Sequence, residues 1–350
     1  MTETTTIEES TPATPSHPTP ASARPEVEVL RADPAPVRWV HRWRRAGRAE
    51  GRTHEWHAVR AGAVVAGLAA LWMWNPGAVA FLGILTALVF LHELGHYVVA
   101  RRVGMAPTDF FVGFGPTVWA RTSRTGLRYG VKLLPAGGFV KIPGMGPREE
   151  VEASREPYTY RAATRGRRLA VILAGVAVNF ALAVVLFAGF ALSQPDTGAI
   201  DAVGTGLGQT GEVATGTLEG LGNLVFGADD YARSVVSGDV PENRMMSPVG
   251  GAQIADGLID VDPSRLLLLA GIFSASLALL NLLPLLPLDG GHAALVVVEA
   301  VAARVTRRPR LRLDPNRFTP VAVVVLVVLL SVSASAMYLD ILHPLGDAVR

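Results

Sequence analysis

Phe90-Leu91-His92-Glu93-Leu94-Gly95-His96 lies towards the end of an apolar run over residues 78–100. A run of that length can cross a bilayer, which takes about 17–25 mostly apolar residues. His92 and His96 are four apart, so on a helix their imidazoles project from one face, one turn apart, and can share a metal ion. Glu93 adjoins the first of them, where it can act as general base on a metal-bound water. Ionisable side chains inside a span are expensive unless paired, and usually mark function. The rival readings are a hydrogen-bonded histidine pair in a core and a helix that never enters the bilayer.

The rest of the chain places this motif in a membrane protein. Of 350 residues half are apolar and only 18% are charged, and the mean hydropathy is +0.34. Further apolar runs over about 59–75, 169–193, 266–283 and 319–339 bring the expected spans to five, four forming a core and one preceding it. The first is short, with an apolar centre of 61–74 that stops at Asn75-Pro76-Gly77, and Arg60 could snorkel to lengthen it. Cysteine is absent, which excludes disulfide frameworks, thiolate nucleophiles and Cys-based zinc or iron–sulfur sites. A net charge of +2 is too small to suggest a nucleic-acid partner. The fold class is an α-helical polytopic membrane protein.

Residues 1–56 read as a tail and its anchor. Seven prolines fall between Pro12 and Pro36 with no apolar period, a composition that cannot offset its ordering entropy. No apolar stretch follows the first residue directly, so a cleaved signal peptide is not expected. Arginines over 38–52, interleaved with Trp39 and Trp43, suit an anionic lipid surface better than a nucleic acid. Residues 57–350 form the membrane domain. Arginines also close the second span (Arg101, Arg102), open the third (Arg165, Arg167, Arg168) and join the fourth to the fifth (Arg304 to Arg317), whereas residues 194–264 hold eleven acids and two arginines. The excess of arginine sets the cytoplasmic side. The N-terminus is therefore expected inside, the C-terminus outside, and 194–264 outside.

Two histidines do not complete a catalytic zinc site, which takes three protein ligands and leaves a position for water. The candidate third ligand is Asp289, in Asn281-Leu-Leu-Pro-Leu-Leu-Pro-Leu-Asp289-Gly290-Gly291-His292. It follows the fourth span on the same side as His92 and His96. Pro284, Pro287 and the glycine pair let the backbone bend towards a metal. His292 is a rival ligand ranked below Asp289, and a plain helix-end aspartate is the bland alternative.

Together these residues resemble the site-2 protease family of intramembrane zinc metalloproteases (M50 type), most closely its RseP-type bacterial branch and their actinobacterial relatives. The likeness rests on His92-Glu93-Leu-Gly-His96 and on Asn281…Leu288-Asp289-Gly290. It extends through Phe111-Val-Gly-Phe-Gly-Pro116, Gly137-Gly-Phe-Val-Lys-Ile-Pro-Gly144 and Gly175-Val-Ala-Val-Asn179, covering about residues 78–295 in order. It implies one Zn²⁺ held by His92, His96 and Asp289, with Glu93 activating the water. It also implies cleavage within transmembrane helices of single-span membrane proteins, such as anti-sigma factors or signal-peptide remnants, at the cell membrane. Residues 128–143 alternate enough for a β-hairpin, and the resemblance implies a re-entrant β-loop there that holds substrate as an added strand through Gly137, Gly138, Phe139 and Val140. Asn281 would hold the unwound substrate backbone, or else make an interhelical hydrogen bond. Gly175 and Asn179 are expected to serve close helix packing.

The chain departs from that pattern in two places. Leu286 stands where many relatives have proline, with Pro287 next, and residues 194–264 are too few for the full PDZ domain that bacterial relatives often carry there. Two rival functions remain: a metal transporter, which predicts several ligand sets along a path, and a catalytically silent scaffold binding membrane helices, which would tolerate loss of Glu93.

Overall fold

The computed structural model describes residues 54–146, 149–237, 246–307 and 312–345, so the expected tail and the basic segment 38–52 lie outside the described residues. Among the described residues are nine α-helices and one small sheet: α1 (His54–Trp74), α2 (Pro76–Arg102), β1 (Asp109–Thr122), β2 (Arg128–Lys141), α3 (Arg165–Leu192), α4 (Ala199–Phe226), α5 (Ala228–Ser237), α6 (Pro248–Val261), α7 (Leu266–Leu282), α8 (Asp289–Val305) and α9 (Thr319–Leu342). Helices α2, α3, α7 with its preceding turn, and α9 are long and apolar enough to cross a membrane. The chain is a multi-pass membrane protein. The N-terminal run is helical as well, but its apolar part, Ala58–Trp74, is shorter than these four.

Helix boundaries follow local chemistry. Asn75 caps α2 by accepting from the Ala78 N–H at 2.6 Å, Pro76 takes the first turn, and Arg101 and Arg102 complement the dipole at its end. Asn75 is also the only residue between α1 and α2. The Thr164 hydroxyl caps α3, and Ser247 caps α6 by accepting from Val249 and Gly250.

Small residues set the spacing of the central helices. A Cβ on Gly95 would lie 2.9 Å from the Ala174 carbonyl oxygen, so α2 and α3 touch there only because glycine is present. On the other side of α3, Ser274 of α7 donates to the Asn179 carbonyl at 2.8 Å. Near the Asn75 end of α2, Phe81 stacks edge-on against Phe273, and the Gly77 N–H reaches Asp256 of α6 at 3.1 Å.

Residues 194–264 are not a separate lobe. Ala202 of α4 packs with Ala188 and Ala191 near the end of α3, and Val213 joins Ala183, Phe187 and Ala275. Further along, Thr217 lies 3.2 Å from the Ser276 hydroxyl of α7. Helix α4 thus runs back along α3 to within a turn of Ser274.

The sheet stands where a hairpin over 128–143 was expected, with the first half of β1 between the two halves of β2. Each long strand bends once, so four short segments pair in the order 138–141, 109–112, 128–132, 117–122. The central pair is parallel (Phe110↔Tyr129, Val112↔Val131) and both flanking pairs are antiparallel (Phe110↔Val140, Ala120↔Gly130). Gly113 (φ +89°) makes the bend in β1; a side chain there would be strained and would strike the Leu134 carbonyl.

At the arginine-rich end of the bundle a buried ion pair joins α3 to α8. Arg168 donates to Glu299 at 2.6 and 3.3 Å and stacks over the Tyr160 ring, while Glu299 also accepts from the Leu313 N–H. Breaking a buried pair from one side strands a charge, at about 3–5 kcal/mol, whereas replacing both partners by apolar residues is often neutral. Glu299→Leu is therefore expected to lower the thermal unfolding midpoint of the purified protein clearly. The double change Arg168→Met with Glu299→Leu should recover much of that loss, and a double variant no better than the single one would contradict this account.

Candidate metal centre

The chemistry of the centre comes from two elements. Helix α2 carries His92, Glu93 and His96 on its inner side, and α8 begins with Asp289. The tight return from α7 to α8 brings the aspartate in: a Cβ on Gly290 would lie 2.2 Å from the Leu282 carbonyl, so no larger residue fits that turn. His92 Nε2 is 3.0 Å and His96 Nε2 3.2 Å from the same oxygen, Asp289 Oδ2. The two Nε2 atoms are 3.1 Å apart. This is the one cluster among the described residues with the ligand types and proximity for a metal ion.

These contacts fit zinc. With Zn–N bonds of about 2.0–2.1 Å, a tetrahedral site puts its ligand atoms about 3.3 Å apart, close to the observed triangle. Tautomers agree. His96 Nδ1 is 2.8 Å from the Val171 carbonyl, which only accepts, so Nδ1 carries the proton and Nε2 presents its lone pair. His92 Nδ1 lies 3.3 Å from the amide of the fully buried Asn179. The Asn179 Oδ1 has no hydrogen-bond partner. With the amide oxygen and nitrogen exchanged, Oδ1 accepts from His92 Nδ1–H and Nε2 is free for a metal.

Gly175 lies directly behind both imidazoles, where a Cβ would come within 2.5 Å of His96 Nε2 and 2.7 Å of His92. Its expected packing role is thus specific to these two histidines. Asn179, expected only to pack, proves to contact His92, a candidate ligand. A polar residue inside an apolar span is itself the signal that could have found it.

Glu93 reaches the edge of the sheet. The Val140 N–H faces its carboxylate, and Gly138 lies so close that an added Cβ would be 3.0 Å from Glu93 Cγ. Glu93, His96, Asp289, Phe139 and Val140 line one cavity of about 190 Å³, with Tyr160 and His292 on its wall. His292 stands outside the ligand triangle. Gly137 packs against Phe114, and Asn281 on the last turn of α7 does not line the cavity. Burial pushes the Asp289 carboxyl up, but the two imidazoles beside it outweigh this and hold it below the usual carboxylate range. Burial lowers the His292 imidazole, partly opposed by Asp289.

The sequence profile of peptidase family M50 matches residues 80–330. The chain belongs to peptidase family M50. That bears out the resemblance carried by the motifs. This M50 chain is 37% identical over 178 residues to the zinc metalloprotease Rip1 of Mycolicibacterium smegmatis, covering 48% of the chain and 42% of that protein. It is 42% identical over 158 residues to Rip1 of Mycobacterium tuberculosis, 42% of the chain and 37% of that protein. The regulator of sigma-E protease RseP of Salmonella typhimurium is 38% identical over 116 residues, 33% of the chain and 25% of that protein. The match spans less than half the length of each of these relatives.

The Asn179 contact predicts a measurable effect on metal affinity. Loss of the partner that orients a ligating histidine typically lowers affinity about 10–100-fold. Asn179→Leu should do so in a chelator competition, while Asn179→Asp, which keeps an acceptor, should retain most of the affinity. Equal affinities for Leu and Asp would reduce Asn179 to packing.

Proposed function

We propose that this chain is a zinc-dependent intramembrane endopeptidase that cleaves transmembrane helices of other membrane proteins. The observation that carries the reading is the set of two histidines and one aspartate converging within 4.8 Å, with Glu93 beside them, in a bundle of membrane-spanning helices. His92, His96 and Asp289 hold one zinc ion, which when bound polarises the scissile carbonyl and acidifies its water. Glu93 takes the proton of the attacking water and returns it to the leaving amine as the C–O bond forms and the C–N bond breaks. The Val140 N–H fixes the Glu93 carboxylate for both transfers.

The substrate must open before it reacts, because a helix hides its carbonyls in its own hydrogen bonds. Residues 138–141 form an outer edge of the sheet beside Glu93, so the opened stretch adds there as a further strand. Gly137, Gly138, Phe139 and Val140 shape that edge, and Asn281 holds the unwound backbone beyond it. Single-span proteins such as anti-sigma factors or signal-peptide remnants are the proposed substrates, in regulated intramembrane proteolysis at the cell membrane.

Glu93→Gln should lower turnover by about 10²–10⁴-fold, the range for loss of a general acid–base, with zinc content unchanged. The test is quantitative membrane proteomics of cells carrying wild type or Glu93→Gln. Single-span proteins or their membrane-embedded remnants should accumulate in the variant alone, and a fully active Glu93→Gln protein would sink the mechanism.

The arginine-rich helix ends are assigned to the cytoplasm, with the N-terminus inside and the C-terminus outside. A topology reporter fused at residue 40 should then read as cytoplasmic. An extracytoplasmic signal there would refute the five-span arrangement.

A further inference from the structure

A space larger than the metal-centre cavity lies away from it. A cavity of about 880 Å³ opens between α1, α2 and the sheet, with walls that include Leu68, Leu82, Phe90, Trp119 and Val131. Its volume falls within the ~300–1,000 Å³ of sites that bury small apolar ligands. Gly67 of α1 and Gly83 of α2 both line it, and a Cβ built on either meets nothing within 4 Å. Glycine inside a helix costs about 1 kcal/mol relative to alanine, a cost that membrane helices commonly offset by close contact at the glycine. At these two positions the helices stand apart instead.

The shape of the cavity limits what can enter. Helices α1 and α2 meet at the single residue Asn75, whose N–H bonds Leu71 and whose side chain caps α2. The space between them therefore closes at that end. A bilayer-spanning helix, ~10–12 Å across with its side chains, would have to run past this corner. An acyl chain ends inside the bilayer and would not.

The other end of the cavity reaches the sheet and carries positive charge. Arg60, one turn before the lining residue Val64, donates to the Thr117 carbonyl at 2.9 Å, two residues from Trp119. Lys132 also lines the cavity, its Nζ 4.9 Å from the Phe139 ring centre. Both cations lie away from the Asn75 corner, on the side where α2 ends at Arg101 and Arg102, and such a side favours an anionic headgroup.

We propose that this cavity is a binding site for one acyl chain of an anionic phospholipid, drawn from the leaflet on the arginine-rich side, with Arg60 and Lys132 engaging the phosphate. The site is independent of the peptidase reading.

The test uses the full chain with Trp119 as its sole tryptophan, the other five of six changed to phenylalanine, in lipid nanodiscs. Bromine on an acyl chain quenches indole fluorescence on contact. Brominated phosphatidylglycerol in plain phosphatidylcholine is compared with brominated phosphatidylcholine in plain phosphatidylglycerol, at equal mole fractions. The expected result is stronger quenching by the anionic lipid, with an apparent preference of roughly fivefold per engaged cation. Arg60→Gln should lower that preference about fivefold. Gly83→Leu should abolish the preferential quenching, and Gly67→Leu on the facing wall serves as a second variant should the first not fold. Equal quenching by both lipids, unchanged by Arg60→Gln, would mean ordinary boundary lipid and overturn the site. Absence of quenching by either lipid, as when another segment of the chain fills the cavity, would overturn it equally.

Discussion

The bundle is organised by the need to keep three ionisable side chains inside one membrane-spanning helix. His92, Glu93 and His96 cannot face lipid, where polar groups find no partners, so three neighbouring elements supply partners at that level. Val171 gives His96 a carbonyl, Asn179 gives His92 an amide, Val140 gives Glu93 an N–H, and Asp289 meets both histidines. Two of these partners come from α3, one from the sheet and one from α8. The positions of all three elements relative to α2 are tied to satisfying one turn of helix.

Bringing those partners into reach requires close approach, and apolar packing in lipid supplies little drive for it because lipid tails solvate leucine as well as another leucine does. Glycine resolves this at the contacts. Gly175 leaves room for both imidazoles, Gly95 lets α2 meet the α3 backbone, and Gly290 lets α8 fold back against α7. Each stands where any Cβ would strike a ligand or a carbonyl. Gly67 and Gly83 are the contrast, since they surround space instead of contact.

The same physics decides what could be read from the sequence. His92, Glu93 and His96 were legible because their relation is local, set by helical periodicity alone. Asp289 needed a second motif, but its chain context of prolines and glycines already pointed to a bend. The spanning helices follow from composition, so their positions were legible to within a few residues. The sheet was not, because the insertion of residues 109–112 between the halves of β2 is a pairing across sequence that no alternation pattern encodes. Helix α4 was hidden for another reason. Its 28 residues include seven glycines and three acids, which dilute the apolar signal of a helix that nonetheless packs along α3.

The edge strand shows how far the metal centre constrains the proposed chemistry. Gly138 is pressed against Glu93 Cγ and Val89, and the next peptide but one turns its N–H inward to the carboxylate. A β-strand alternates its side chains, but its edge recognises a partner through backbone groups common to every sequence. A substrate added at residues 138–141 would therefore be held at a depth fixed by the sheet and largely irrespective of its side chains. Selection among membrane proteins then shifts to a different property: which helices open at that depth. Helices with glycine or proline near the level of His92 open at least cost, since these residues already weaken helical structure. On the proposed reading, helix-breaking residues at one depth, more than any side-chain motif, would distinguish a cleavable span from a resistant one.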